Sequence, residues 1–163
     1  MGEAEDAHPF VTVAPGQRLA VRDDFVLVHL CTVVGAPMAN ALLQHGKQHG
    51  AGGKQLALLY FIERGGIGAP DAAAREAWIE LSRTSGPYYA ASTFVVPQDG
   101  TAAGAAHAFV QDVRENSGGR LPLAIFSSVR SALGWLRQAV PASTRLPNDD
   151  VIEQMLDRLR ATA

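Results

Sequence analysis

KQLALLYFIERGGIGAP, residues 54–70, contains the run that decides the fold. Residues 55–62 are apolar almost without a break, with neither the period of an amphipathic helix nor the alternation of a half-exposed strand. A run of this kind belongs to a strand covered on both faces, as in the middle of an α/β sheet. Glu63, Arg64, Gly65, Gly66, Ile67, Gly68, Ala69 and Pro70 follow it and read as a flexible turn leading into a helix. Open α/β sheets meet their ligands and partners beyond the carboxyl ends of the strands, so a site is expected here first.

Working outward towards the amino terminus, residues 18–21 and 25–34 read as a hairpin that turns at Arg22-Asp23-Asp24. HPFVTV, residues 8–13, suits a short edge strand, because Pro9 cannot donate to a ladder. After Gly35-Ala36-Pro37 the period becomes helical, with Met38, Ala41, Leu42 and His45 on one face, and Gly46 is expected to fray that helix. Beyond the central run comes a helix over residues 72–82, capped by Asp71, with Ala74, Trp78 and Leu81 inward. A strand is predicted over 88–97, where Tyr88 and Tyr89 read as core. Asp99 or Thr101 would cap the next helix, whose stripe is Ala103, Ala106, Val110 and Val113. A short strand over 121–126 leads through Ser127 or Ser128, as cap, into a helix with Val129, Ala132, Leu133, Leu136 and Val140 inward, ended by Pro141. A final amphipathic helix starts at Asp149, with Asn148 as its cap and Val151, Ile152, Met155, Leu156 and Leu159 as its stripe.

Strands alternating with helices give an α/β fold: a single-layer, mostly parallel mixed sheet of about five strands with an antiparallel opening hairpin. Four helices pack on it, and a fifth is appended. The expected divisions are a tail or edge strand (1–15), an α/β domain (16–140), a linker (141–147) and a C-terminal helix (148–163). At 163 residues, 47% hydrophobic and 18% charged, the chain is long and apolar enough for one well-packed domain. A net charge of −2, with basic residues scattered along the chain, argues against nucleic acid as a partner. Cys31 is the single cysteine and can form no internal disulfide, which suits a reducing cytoplasm. MGEAEDAHPF lacks the basic and apolar regions of a signal peptide, and no apolar run approaches the roughly 20 residues of a membrane span.

DDFVLVHLCTVV (23–34), KQLALLYFIE (54–63) and IFSSVRSALGWL (125–136), together with the element order over 16–140, resemble the STAS fold of the anti-sigma-factor antagonists and small bacterial relatives. The resemblance implies a regulatory, non-enzymatic module that binds another protein. Antagonists carry a serine in an Asp-Ser-[Ser/Thr]-Gly turn after the central strand, and a partner kinase phosphorylates it. Glu63 to Gly68 hold that place here without a hydroxyl, so the resemblance implies a docking surface but no phosphorylation switch. A more distant resemblance, to CRAL-TRIO domains, implies the alternative: a small molecule or lipid in an apolar pocket between the sheet and the helices beginning at Met38 and Ala72.

The candidate docking or ligand residues are Glu63, Arg64, Gly65, Gly66, Ile67, Gly68 and Asp71, joined at the same sheet edge by Ser127 and Ser128. Gly65 to Gly68 could turn backbone N–H groups towards an anion. The loop lacks the Lys-Ser/Thr of a P-loop and the spacing of GxGxxG, however, and Asp71 would repel phosphate. His45 and His49 stand four apart but lack a third ligand at a familiar spacing, so they read as boundary histidines. His29 and Cys31 share a strand face without an orienting third group and read as packing. No catalytic residue, metal or cofactor is expected. The last helix either folds back on its own domain or docks on another chain, including a second copy in a homodimer.

Overall fold

Six strands form one sheet in the order of the chain, β1-β2-β3-β4-β5-β6, in a computed structural model that describes residues 10–50, 52–66, 68–96, 100–118 and 121–162. The strands are β1 (Phe10–Ala14), β2 (Gln17–Arg22), β3 (Phe25–Leu30), β4 (Leu56–Ile62), β5 (Tyr89–Val95) and β6 (Leu123–Phe126). The helices are α1 (Ala36–His49), α2 (Ala72–Thr84), α3 (Gly100–Ser117), α4 (Val129–Ala139) and α5 (Asp149–Ala161). The pairs β1–β2 and β2–β3 are antiparallel, and β3 to β6 pair in parallel.

The strictly sequential order dictates the layers. Each crossover steps one strand in the same direction, so right-handed connections put α1, α2 and α3 on one face. There Met38, Leu42, Trp78, Leu81, Val110 and Val113 pack on Leu56, Leu58 and Tyr60 of β4. The opposite face is covered by α4 and α5, whose Leu133, Leu136, Ile152, Met155 and Leu159 pack on Phe25, Leu27, Ala57 and Leu59. The run that opened the sequence reading is therefore a central strand, and alternate residues feed two separate cores. Six of its seven residues are buried.

The structure differs from the sequence reading at several places. The edge strand expected over 8–13 is present as β1, paired with β2, and it raises the sheet from about five strands to six; His8 and Pro9 lie outside the described residues. The long strand predicted to Val34 stops at Leu30, where both neighbours stop pairing, β2 at Gln17 and β4 at Ile62. Cys31 thus leaves the strand and is half-buried. Helix α1 passes through Gly46 to His49, because this glycine lets the helix approach β5: a Cβ at Gly46 would stand 2.8 Å from the Tyr89 ring. The Tyr89 hydroxyl donates to Leu42 O at 2.6 Å across the same contact. Thr101 lies inside α3 rather than capping it, and Asp99 lies outside the described residues.

Helix α5 folds back on its own sheet, burying Ile152, Met155, Leu156 and Leu159, so its stripe is not presented to a second copy. Arg18 of β2 donates to Leu159 O at 2.8 Å and Thr162 Oγ1 at 3.0 Å, capping the helix where its carbonyls lack partners. The preceding segment is tied down by Asp24. Its buried carboxylate lies 2.8 Å from Lys54 Nζ and accepts the Arg145 N–H at 2.8 Å, while the Asp24 N–H donates to Arg145 O at 3.0 Å. Among the described residues no helix is long and apolar enough to cross a membrane.

Burial pushes the Asp24 carboxyl up, but Lys54 and the Arg145 N–H outweigh it and leave the group below its ordinary value of 3.8. Burial also holds His29 below the ordinary 6.5 despite Glu63 beside it, and holds His45 below it, aided by His49. All three groups bind protons less readily folded than unfolded. Their stabilising contribution is complete above the unfolded values and is lost as pH falls through the folded ones. The thermal midpoint is therefore expected to start falling below about pH 6.5, before carboxylates titrate. A His29→Gln variant should flatten that first fall, and a midpoint constant from pH 7.5 to 5 would contradict the assignment.

Candidate functional site

The exit of β4 is tight rather than flexible. The Glu63 N–H donates to Leu30 O at 2.8 Å, and the Gly66 N–H donates to Glu63 O at 2.9 Å, closing a 3-10 turn over Arg64–Gly66. A Cβ at Gly65 would stand 2.4 Å from Cys31 O, and one at Gly66 2.6 Å from Leu30 O. These two glycines are there because the turn lies against the backbone at the end of β3. Gly65→Ala should push the turn outwards and cost about 1–3 kcal/mol, the usual range for overpacking. Urea unfolding measures it, and a loss below 0.5 kcal/mol would mean that the close approach is not constrained.

Glu63 is held from two sides. Its Oε1 is 3.2 Å from His29 Nε2 and 2.8 Å from Arg160 Nε of α5. The Arg160 guanidinium also lies over the Phe61 ring, 5.2 Å from its centre. Strand register explains the grouping: Arg18 pairs with His29, and His29 with Phe61, making a cross-strand row under the last turn of α5. Cys31 Sγ lies 3.6 Å from His29 Nε2 and 3.8 Å from Nδ1. Burial, and then Glu63, push its thiol above the ordinary value, so it is held protonated and is a poor nucleophile.

Beyond the carboxyl ends of β4, β5 and β6 lies an open cleft of about 610 Å³. Phe61, Ile62, Val95, Val96 and Val129 supply its apolar surface, while Glu63, Arg64, Gly65, Cys31, Ser127 and Ser128 supply the polar rim. Ser128 caps α4, its Oγ accepting the Ser131 N–H at 3.2 Å, and Ser127 beside it is exposed. Five of the nine residues expected from the sequence thus meet at one cleft.

The others do not join them. Gly68 borders a separate opening of about 380 Å³ between α2 and α3, beside Pro70, Phe109 and the Arg75–Asp112 pair. Gly66 faces a small void on the α1–α3 side, and Asp71 is occupied as the cap of α2, accepting the Ala74 N–H at 2.7 Å. Ile67 lies outside the described residues. Sequence reasoning missed Phe61 and Arg160 and dismissed His29 and Cys31. Period-two spacing from Glu63 back to Phe61 was a signal for the first, whereas nothing local announces Arg160.

Between the sheet and helices α2 and α3, two voids of about 20 and 30 Å³ have room for one or two waters and not for a lipid chain, and a more open space of about 260 Å³ lies between α3 and β6. Among the described residues no group of three or more His, Cys, Asp or Glu side chains is placed to hold a metal ion. The chain matches no protein-family model, no curated protein and no solved structure.

Proposed function

We propose that this chain is a non-enzymatic, STAS-like regulatory module that docks a protein segment in the cleft beyond β4, β5 and β6. The observation that carries the reading is the cleft itself, where an apolar floor is ringed by Glu63, Arg64, Gly65, Ser127 and Ser128 on a rigid strand edge. The STAS-like part rests on element order: an antiparallel opening, then strand and helix units stepping in one direction across the sheet. Binding is favoured over chemistry because the polar groups are already engaged. Glu63 is held by His29 and Arg160, Ser128 caps a helix, and the Cys31 thiol stays protonated. The small interior voids speak against the alternative of a lipid or small molecule under the helices. A free Cys31 suits a cytoplasmic setting.

A photo-crosslinking residue placed at Arg64, and for comparison at exposed Gln111 on α3, tests the proposal in host cells. Position 64 should capture one discrete protein, and Ser127→Trp, which fills the cleft, should abolish capture. Equal labelling from both positions, or capture that survives Ser127→Trp, would refute it.

A further inference from the structure

Helix α1 ends in two imidazoles that the docking cleft does not use. No third side-chain ligand accompanies them among the described residues, and the sequence leads one to expect Gly46 to fray the helix between them. Instead the helix runs regularly to His49, with Gly46 pressed against Tyr89. His45 and His49 therefore stand one turn apart on one side of a continuous helix, their ring centres separated by 4.5 Å and their planes inclined by 38°. His49 is exposed, while His45 Nε2 is buried and has no hydrogen-bond partner among the described residues. A buried nitrogen left this way is costly, and native structures carry few of them.

We propose that His45 and His49 together chelate a divalent transition-metal ion of the imidazole-preferring class, bound at the last turn of α1 with water completing its coordination. Metal–imidazole bonds are about 2.0–2.1 Å long, so small side-chain rotations bring nitrogens from rings this close onto one ion. Such an ion supplies the missing partner of His45 Nε2. The donor set selects the metal: two neutral imidazoles without a carboxylate suit Cu²⁺, Ni²⁺ or Zn²⁺ and not Ca²⁺ or Mg²⁺, and Cu²⁺ binds most tightly in the usual order.

The test uses the intact chain, labelled with ¹⁵N, and CuCl₂ or ZnCl₂ in a non-coordinating buffer at pH 7. Substoichiometric Cu²⁺ should broaden the amide signals of residues 44–50 first. Calorimetry with Zn²⁺ should give an affinity that drops roughly tenfold or more in His49→Ala, since one of two ligands is gone. His49 is exposed, so this variant should keep its fold, which circular dichroism checks. His45→Ala should lose the site as well. Broadening that starts near Cys31, His29 or His107 while residues 44–50 stay sharp would overturn the proposal. So would a His49→Ala affinity within threefold of the parent.

Discussion

Leu59→Ala is expected to destabilise the protein by about 2–5 kcal/mol, the range for removing a buried leucine side chain and leaving part of its cavity behind. Leu59 is fully buried in the middle of β4, in register with Leu27 on one side and Thr93 on the other. Its side chain belongs to the core shared by α4 and α5, so the vacancy opens between the sheet and two helices together. Leu59→Met, which nearly conserves volume, should cost less than about 1.5 kcal/mol. Denaturant unfolding of both variants measures the contrast. A Leu59→Ala loss below 1 kcal/mol would remove the basis for placing this strand at the centre.

Asp24→Ala should cost about 2–3 kcal/mol, chiefly from the charge-assisted bond to the Arg145 N–H and the amide it leaves unpaired. The figure stays below that for a fully buried ion pair, because Lys54 is half exposed and can return to water once its partner is gone. The loss should be felt at a distance along the chain. Asp24 holds the segment before α5, so amide exchange in residues 143–148 should accelerate more than in β4. Uniform acceleration everywhere would mean that Asp24 does not anchor that segment.

What the sequence made legible was whatever depends on pattern within one element. An almost unbroken apolar run identified β4, Asp71 and the Ser127-Ser128 pair identified two helix starts, and the stripe of α5 held the four residues it buries. What it concealed was set by neighbours. Gly46 and Gly65 both look like breaks in structure, and both are instead places where two backbones or a backbone and a ring come close. The end of β3 depends on where β2 and β4 stop pairing, which no local signal in residues 31–34 records. The cleft was half legible for the same reason. Glu63, Arg64 and Gly65 follow a recognisable strand, whereas Arg160 reaches Glu63 only because α5 doubles back over the sheet.

The sequential strand order also has a kinetic consequence. From β3 onward every strand pairs with the next one made, so the sheet can grow by short steps as the chain emerges from the ribosome. Helices α4 and α5 are the exception, since both follow the last strand and close over one face of the sheet after all the strands have been synthesised. Until then one side of a nearly finished sheet, with Phe25, Leu27 and Leu59, lacks its cover. That interval is when a nascent chain of this protein is most exposed to aggregation and most in need of a chaperone.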